Sequence, residues 1–552
     1  DARSGGSTGL SVANAAMGLF TNYAELGQRN FTKWRSLATD VFVQDSWKPT
    51  SALTIEGGFR WVYWPPWYST TNNIANFDPR FYDRAQAAVM DPTTGRLVAG
   101  PRYNGMVLPG DGFEGDAQQS VVAQDPAVLA LFRGEPRGFS QTHANAFEPR
   151  FGAAYKFNEK TVLRMSTGIF HNRVTLNDST LLGGNVPFQP QVTISNGIAD
   201  NPGGTTVGSK DLPFAVNGQD AVFKHPTAYM YSVGIQRELP FGFTADVSYV
   251  GRKGLYLQRE RNLNQLLPGT IQANPDVNIA ALRPYAGYGV IRLSENAGRS
   301  NYHSLQVSAD RRYTNGLKVG FAYTLGKSED NGSDKRNVLW NTYDDSIFWG
   351  PSNYDRRHVL AVYYIYDLPF FREQSGVLGN VLGGWQVSGA SFFRTGTPFS
   401  VVQTSQDVAG VGDVSVGQPW DLVGDPKANT NGQLSTSRAD QNFWFNPAAF
   451  APPAPGTFGN APRNLLYNPG EQQWDLAIFK NFNVGGTRRL QLRGEFFNFP
   501  NHPNLGEPSA NVSAQTGTVN SYPVADPTNG DFGRVTRKSG QRDIQLSVRF
   551  QF

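Results

Sequence analysis

The sequence predicts an all-β protein: an antiparallel transmembrane β-barrel, about 14 strands of which lie in this chain, with long extracellular loops. Three observations predict it. Apolar and polar residues alternate with period two in segment after segment, the mark of strands with two unlike faces. The segments pair into hairpins, most of them across tight turns. Those turns alternate strictly with long connections rich in Pro, Gly, Asn and Asp.

Taken in order, Ser11 to Tyr23 is a candidate upward strand. Residues 36–47 and 53–64 form the first hairpin, across Lys48-Pro49-Thr50. Here Leu53, Ile55, Phe59, Trp61 and Tyr63 oppose Thr54, Glu56, Gly58 and Arg60. The next hairpins pair 147–157 with 161–171, 229–238 with 243–251, and 302–312 with 317–327. The third of these has Asn315-Gly316 in its turn, the strongest short-range hairpin signal. Residues 356–367 and 384–394, then 473–483 and 487–498, complete the series, and a lone strand spans 541–552. In that strand Ile544, Leu546, Val548, Phe550 and Phe552 alternate with Asp543, Gln545, Ser547, Arg549 and Gln551. The connections between hairpins run over 65–146, 172–228, 252–301, 328–355, 395–472 and 499–540. Such lengths are foreign to a compact soluble domain. They fit a barrel with short periplasmic turns and long surface loops.

Composition excludes other classes. The 552 residues include no cysteine, so there is no disulfide framework, thiolate metal site or cysteine nucleophile. Charges nearly balance at +4, without long basic runs, which argues against nucleic acid as a partner. No segment offers the ~20 apolar residues of a spanning helix. Strands need no such run, because their two faces average out. In hydrocarbon every backbone polar group must be paired, so a spanning sheet must close, with its apolar face toward lipid. Trp47, Trp61, Tyr63, Phe550 and Phe552 fall near strand ends, where aromatic girdles sit.

Several motifs are decoys. Gly5-Gly6-Ser7-Thr8-Gly9 spells a nucleophile elbow but lacks the strand that must hold its strained turn. Gly326-Lys327-Ser328 spells the tail of a P-loop, but Phe321 stands where the first glycine belongs, and a strand ends there where a helix should begin. The histidines form no close ligand pair. Glu329, Asp330, Asn331 and Asp334 make an acidic loop that is either solvated or able to take a hard cation. No catalytic residues, no metal ligands and no cofactor are expected.

The polar faces carry charge. Glu56, Arg60, Arg164, Asp246, Asp310, Arg493 and Glu495 are lumen-facing candidates, either as a charged channel wall or plug-docking surface, or as an ion-pair network that satisfies buried charge. The loop tryptophans Trp64, Trp67, Trp340, Trp349 and Trp420 are substrate-contact candidates, because rigid amphipathic rings add contact area at low entropy cost. Loop packing is the other role open to them.

The order of short segments resembles one family. Phe42-Val43-Gln44-Asp45-Ser46-Trp47-Lys48, Glu148-Pro149-Arg150-Phe151-Gly152, Ser248-Tyr249-Val250-Gly251 and Asn301-Tyr302-His303-Ser304-Leu305 come first. Asp355-Arg356-Arg357-His358, Gly384-Trp385-Gln386-Val387 and Phe445-Asn446-Pro447-Ala448-Ala449-Phe450 follow. Arg493-Gly494-Glu495-Phe496-Phe497-Asn498 and Asn501-His502-Pro503-Asn504 close the series. Together they resemble the C-terminal barrel portion of TonB-dependent outer-membrane receptors, in particular the Oar-like group with a carboxypeptidase-regulatory-like domain. The resemblance implies a 22-stranded barrel in the outer membrane of a Gram-negative bacterium, with its C-terminus in the periplasm. It implies Phe550 and Phe552 as the terminal signal read by the barrel-assembly machinery. It also implies a plug and an N-terminal domain, neither of which is recognisable here, so residues 1–552 are expected to be the C-terminal part of the barrel. The implied function is active uptake or export of a ligand, driven by the TonB-ExbB-ExbD system through the missing N-terminal part. A passive pore or a barrel-anchored surface adhesin is the alternative.

Overall fold

The computed structural model describes residues 16–26, 31–141, 144–189, 191–200, 211–222, 224–404, 407–413, 417–437, 440, 442–486, 488–510, 515–519, 522–525 and 530–552. The Gly5–Gly9 motif, Ser11–Ala15 and His143 lie outside them.

The expected hairpins are present as a single antiparallel wall. Its strands are β1 (Thr39–Trp47), β2 (Leu53–Tyr63), β3 (Ala146–Asn158), β4 (Thr161–His171), β5 (Thr227–Leu239) and β6 (Phe243–Asn262). They continue as β7 (Tyr288–Thr314), β8 (Leu317–Asp330), β9 (His358–Asp367), β10 (Trp385–Arg394), β11 (Glu471–Asn483), β12 (Arg489–Phe497) and β13 (Asp543–Gln551). Each pairs with the next in sequence order. Asn315 and Gly316 both take positive φ, 53° and 80°, as a two-residue turn matched to strand twist requires.

The registers fix the faces. Leu546, Gly494, Ile478 and Val387 oppose one another across four strands, as do Val548, Leu492, Lys480 and Trp385. Side chains directly opposite point the same way. One face therefore carries Leu546, Val548 and Phe550, and continues through Phe321 and Tyr323 to Val247. On it Tyr249 meets His303 at 2.7 Å, and Tyr323 meets His358 at 2.7 Å.

β6 has 20 residues and β7 has 27, well beyond the ~9–11 that cross a bilayer. Their far ends stand clear of the membrane. There Phe214–Gln219 joins β7 in parallel, and Gln191–Ile198 pairs with Leu19–Leu26. This corrects the expected first strand. The segment Leu19–Leu26 joins the loops, not the wall. Its sequence, Leu-Phe-Thr-Asn-Tyr-Ala-Glu-Leu, lacks the period-two alternation of the wall strands. Among the described residues β1 pairs only with β2, and β13 only with β12.

The connections are packed bodies. Phe77, Met106, Leu108, Phe113, Phe188, Tyr288 and Ile291 share one buried cluster. Trp420, Phe445, Phe450, Leu466 and Phe532 share another.

Candidate functional site

Every charged lumen candidate lies on the face opposite Leu546. Register carries Glu56 to Gly152, Ser166 and Ser232, and places Arg164, Asp246, Asp310, Arg493 and Glu495 on the same side. Most have partners there. Arg60 lies 3.1 Å from Asp40 and 3.9 Å from Glu148, and Glu148 lies 2.9 Å from Arg150. Arg164 donates to Gln236 at 2.9 Å. Asp246 accepts from the Ser248 hydroxyl, and Asp310 from the Tyr363 phenol. Arg493 lies 3.8 Å from Glu495 and over the Phe479 ring. Glu56 is exposed and has no ion-pair partner among the described residues. The arrangement is a bonded polar lining with modest free charge.

Above the wall the charges are buried and more tightly joined. Arg259 is buried between Glu295, at 2.7 Å, and Asp345. Arg261 adds a second contact to Glu295 at 3.1 Å. The hydrogen bond from Arg259 holds the Asp345 carboxyl below the usual range against the opposing effect of burial. Burial pushes the Glu260 carboxyl up, against the attraction of Arg292 3.7 Å away. Asp330, from the acidic loop, is buried against Arg463 at 2.8 Å. Arg463 also donates to the Phe348 carbonyl at 3.1 Å and to the Ser333 hydroxyl at 2.6 Å. Glu329 pairs with Lys327 at 2.7 Å, and the Asn331 side chain accepts from the Arg299 amide. Asp330 thus stitches the 395–472 connection to the top of β8 through Arg463. Of these pairs the sequence signalled only the local charge runs; apart from Lys327–Glu329, their partners are distant in the chain.

The tryptophans separate into packing and lining residues. Trp420 is 1% exposed, inside the cluster with Phe445 and Phe532. That burial fits the loop-packing role. Trp64 donates to Asp40 at 3.0 Å and meets the His225 ring edge-on. Trp64, Trp67, Arg173 and His225 line a small enclosed cleft at the top of the wall, where Trp67 donates to the Val174 carbonyl. Trp340 is buried against Phe348, with ring centroids 4.4 Å apart, and its Nε1 has no hydrogen-bond partner among the described residues. It borders a larger cleft of about 380 Å³, which Phe348, Phe399, Arg463, Asn464 and Glu507 also line. Trp349 is exposed. With Arg463 paired to Asp330, the exposed Glu507 is, among the described lining residues, the charged group with no ion-pair partner.

Residues 2–545 match the model of a family described as an outer membrane beta barrel domain. The chain belongs to that family. Its barrel is therefore an outer-membrane barrel, and the polar face of β1 to β13 is the one turned from lipid. No curated protein matches the sequence. Among solved structures, the FrpB iron transporter of Neisseria meningitidis is 12% identical, with a TM-score of 0.39, over 94% of this chain and 46% of that one. The siderophore receptor PiuA of Acinetobacter baumannii is 10% identical, with a TM-score of 0.40, over 93% and 43%. The outer membrane transporter YddB of Escherichia coli is 9% identical, with a TM-score of 0.40, over 93% and 53%. The chain spans about half the length of these structures or less.

Proposed function

We propose that this outer-membrane barrel is the C-terminal wall of an Oar-like, TonB-dependent receptor that carries a ligand captured by its extracellular loops. The observation that carries the reading is the asymmetry of the two rims. One rim has tight turns at every described link but β9–β10, which carries a short helix; the other has large loops with cores of their own and clefts between them. A passive pore needs no such head. The bonded polar lining supports a lumen that meets a plug, with Glu56, Arg60, Arg164, Asp246, Asp310, Arg493 and Glu495 as docking contacts. Trp64, Trp67, Trp340 and Trp349 are the ligand-contact candidates, and Trp420 holds the head together. In this reading the tight turns and Phe552 lie in the periplasm, and Phe550 and Phe552 are presented to the assembly machinery.

The wall has two edges, β1 and β13, with one neighbour each among the described residues. An open edge is untenable in hydrocarbon. Further strands, and with them a plug and a TonB-contacting segment, are proposed to come from polypeptide preceding this sequence.

The test is the intact mass and the planar-bilayer conductance of the native protein extracted from outer membranes. A mass well above 60.6 kDa with a closed channel is expected. A mass near 60.6 kDa with steady conductance makes it a passive pore and overturns the transporter reading.

A further inference from the structure

Among the described residues the connection between β9 and β10 is the one tight-turn-rim link with an α-helix in it, Gly376–Leu382. Its apolar side chains point away from the protein. Val377 is 84% exposed, Leu378 66%, Val381 58% and Leu382 45%. The side turned inward is glycine. A Cβ on Gly379 would sit 2.9 Å from the backbone of Gln374, and one on Gly383 would collide with the Phe371 carbonyl. A helix on a water-exposed surface does the reverse, turning its apolar stripe to the core and its polar side out.

The helix lies on the outer face of the wall. Its end is held by the Lys480 ammonium, which donates to the Gly383 carbonyl. Lys480 and Trp385 oppose each other in register, in line with Leu492 and Val548 on the lipid-facing side. The Trp385 indole donates to the Val381 carbonyl at 2.9 Å, and Lys480 stands over the Trp385 and Phe482 rings. Gln374 anchors the approach, donating to the Asn481 carbonyl at 2.9 Å. Phe370 and Phe371, just ahead of the helix, are 62% and 53% exposed. The apolar surface of the helix is thus continuous with the lipid-facing band of β10, β11 and β12, and sits at its lower border.

We propose that Gly376–Leu382 is an interfacial foot, inserted by Val377, Leu378, Val381 and Leu382 into the phospholipid leaflet at the tight-turn rim. This goes beyond the transport reading and does not depend on it. Short amphipathic helices bind the headgroup–acyl boundary by such a face. The buried Lys480 and the Trp385 indole fix the helix to the wall, so insertion sets the height of the barrel in the bilayer.

The cysteine-free chain makes the test direct. Leu378→Cys, Val381→Cys, Val548→Cys and Lys427→Cys are each spin-labelled in the intact native outer-membrane protein, reconstituted in phosphatidylethanolamine–phosphatidylglycerol vesicles. Collision with oxygen and with a water-soluble nickel chelate is then measured. Labels at 378 and 381 are expected to favour oxygen over nickel several-fold, as Val548 on the wall does, while Lys427 in the loops favours nickel. Nickel preference at 378 and 381 with oxygen preference at 548 overturns the foot and leaves the wall intact. Protection from both reagents at 378 and 381 means a protein partner covers the helix, and also overturns it. Nickel preference at 548 overturns the lipid-facing assignment itself.

Discussion

The wall and the loop head solve opposite problems. In the wall, strands β1 to β13 leave Val41, Val43, Val247, Phe321, Leu546 and Val548 exposed, and the buried apolar side chains are few. The head buries Phe77, Tyr288, Trp420, Phe445 and Phe532 almost completely. The solvent explains the contrast. Against hydrocarbon an apolar side chain gains nothing by turning inward, and the wall is held by its backbone ladder. Above the membrane the loops meet water, and must bury apolar surface as a soluble domain does. The conventional hydrophobic core of this membrane protein is in its loops.

Truncating the core should therefore matter most in the head. Trp420→Ala is expected to cost about 3–5 kcal/mol there, from lost burial and the cavity left behind. Limited proteolysis of the 395–470 connection should accelerate, while the β-sheet circular dichroism of the wall holds. Val548→Ala, on the lipid face, leaves no cavity and should change unfolding by well under 1 kcal/mol. Equal effects at the two positions would erase the distinction between the regions.

Next in size is charge on the two faces of β13. Leu546→Arg should destabilise the reconstituted barrel by roughly 2–4 kcal/mol near the bilayer midplane. Gln545→Arg points to the lumen and should cost far less. Denaturant unfolding in lipid vesicles measures both. A similar loss at both would mean that β13 has no lipid face.

The same contrast decides what was legible. In the wall a single period carries the information, so β8 and β12 stand where the alternation put them, and the lumen set from Glu56 to Glu495 falls on one face. The extended ends of β6 and β7 were not legible. Above the membrane both faces are wet, and Arg259-Glu260-Arg261 breaks the alternation while the ladder continues through Arg259 opposite Glu295. The pairing of Leu19–Leu26 with Gln191–Ile198 was hidden because it joins segments far apart in the chain. Loop aromatics gave no sign of which were core, because Trp420, Phe445 and Phe532 are brought together by long-range packing without period. Trp340 and Trp420 look alike in sequence; one borders a cleft and the other fills a core.

A pH titration sharpens the comparison at lower energy. Burial pushes the Asp440 carboxyl up, but the backbone amides of Ser437, Asn442 and Thr436 and the Ser435 hydroxyl outweigh it and hold it down to about 2. Arg534 sits 2.7 Å away and fixes the same loop to the chain beyond it. A carboxyl depressed on folding stabilises fully above its unfolded value, near 3.9, and that contribution fades as the pH falls through about 2. Amide exchange in the 434–444 segment should therefore rise as pH falls from about 4 toward 2, once corrected for the intrinsic pH dependence of exchange. Asp440→Asn should flatten that extra rise. The wall strands should show no matching change over that interval, since their protection comes from the paired ladder and not from this carboxylate.

Trp349→Ala is the smallest expected effect on stability and the most informative about function. The side chain is 43% exposed, so its loss should shift unfolding by no more than about 0.5 kcal/mol. If Trp349 is a ligand contact, uptake by cells carrying the variant should fall while barrel abundance and the Trp420 core stay unchanged. Stacking and burial of one such ring are worth about 1–3 kcal/mol by analogy with exposed aromatic platforms. That corresponds to an affinity loss of about tenfold or more. Full uptake with each of Trp349→Ala, Trp67→Ala, Trp64→Ala and Trp340→Ala would move ligand recognition off the tryptophans and onto the amide and carboxylate groups around Asn464 and Glu507. The head would then use its aromatic rings for packing throughout, as Trp420 does.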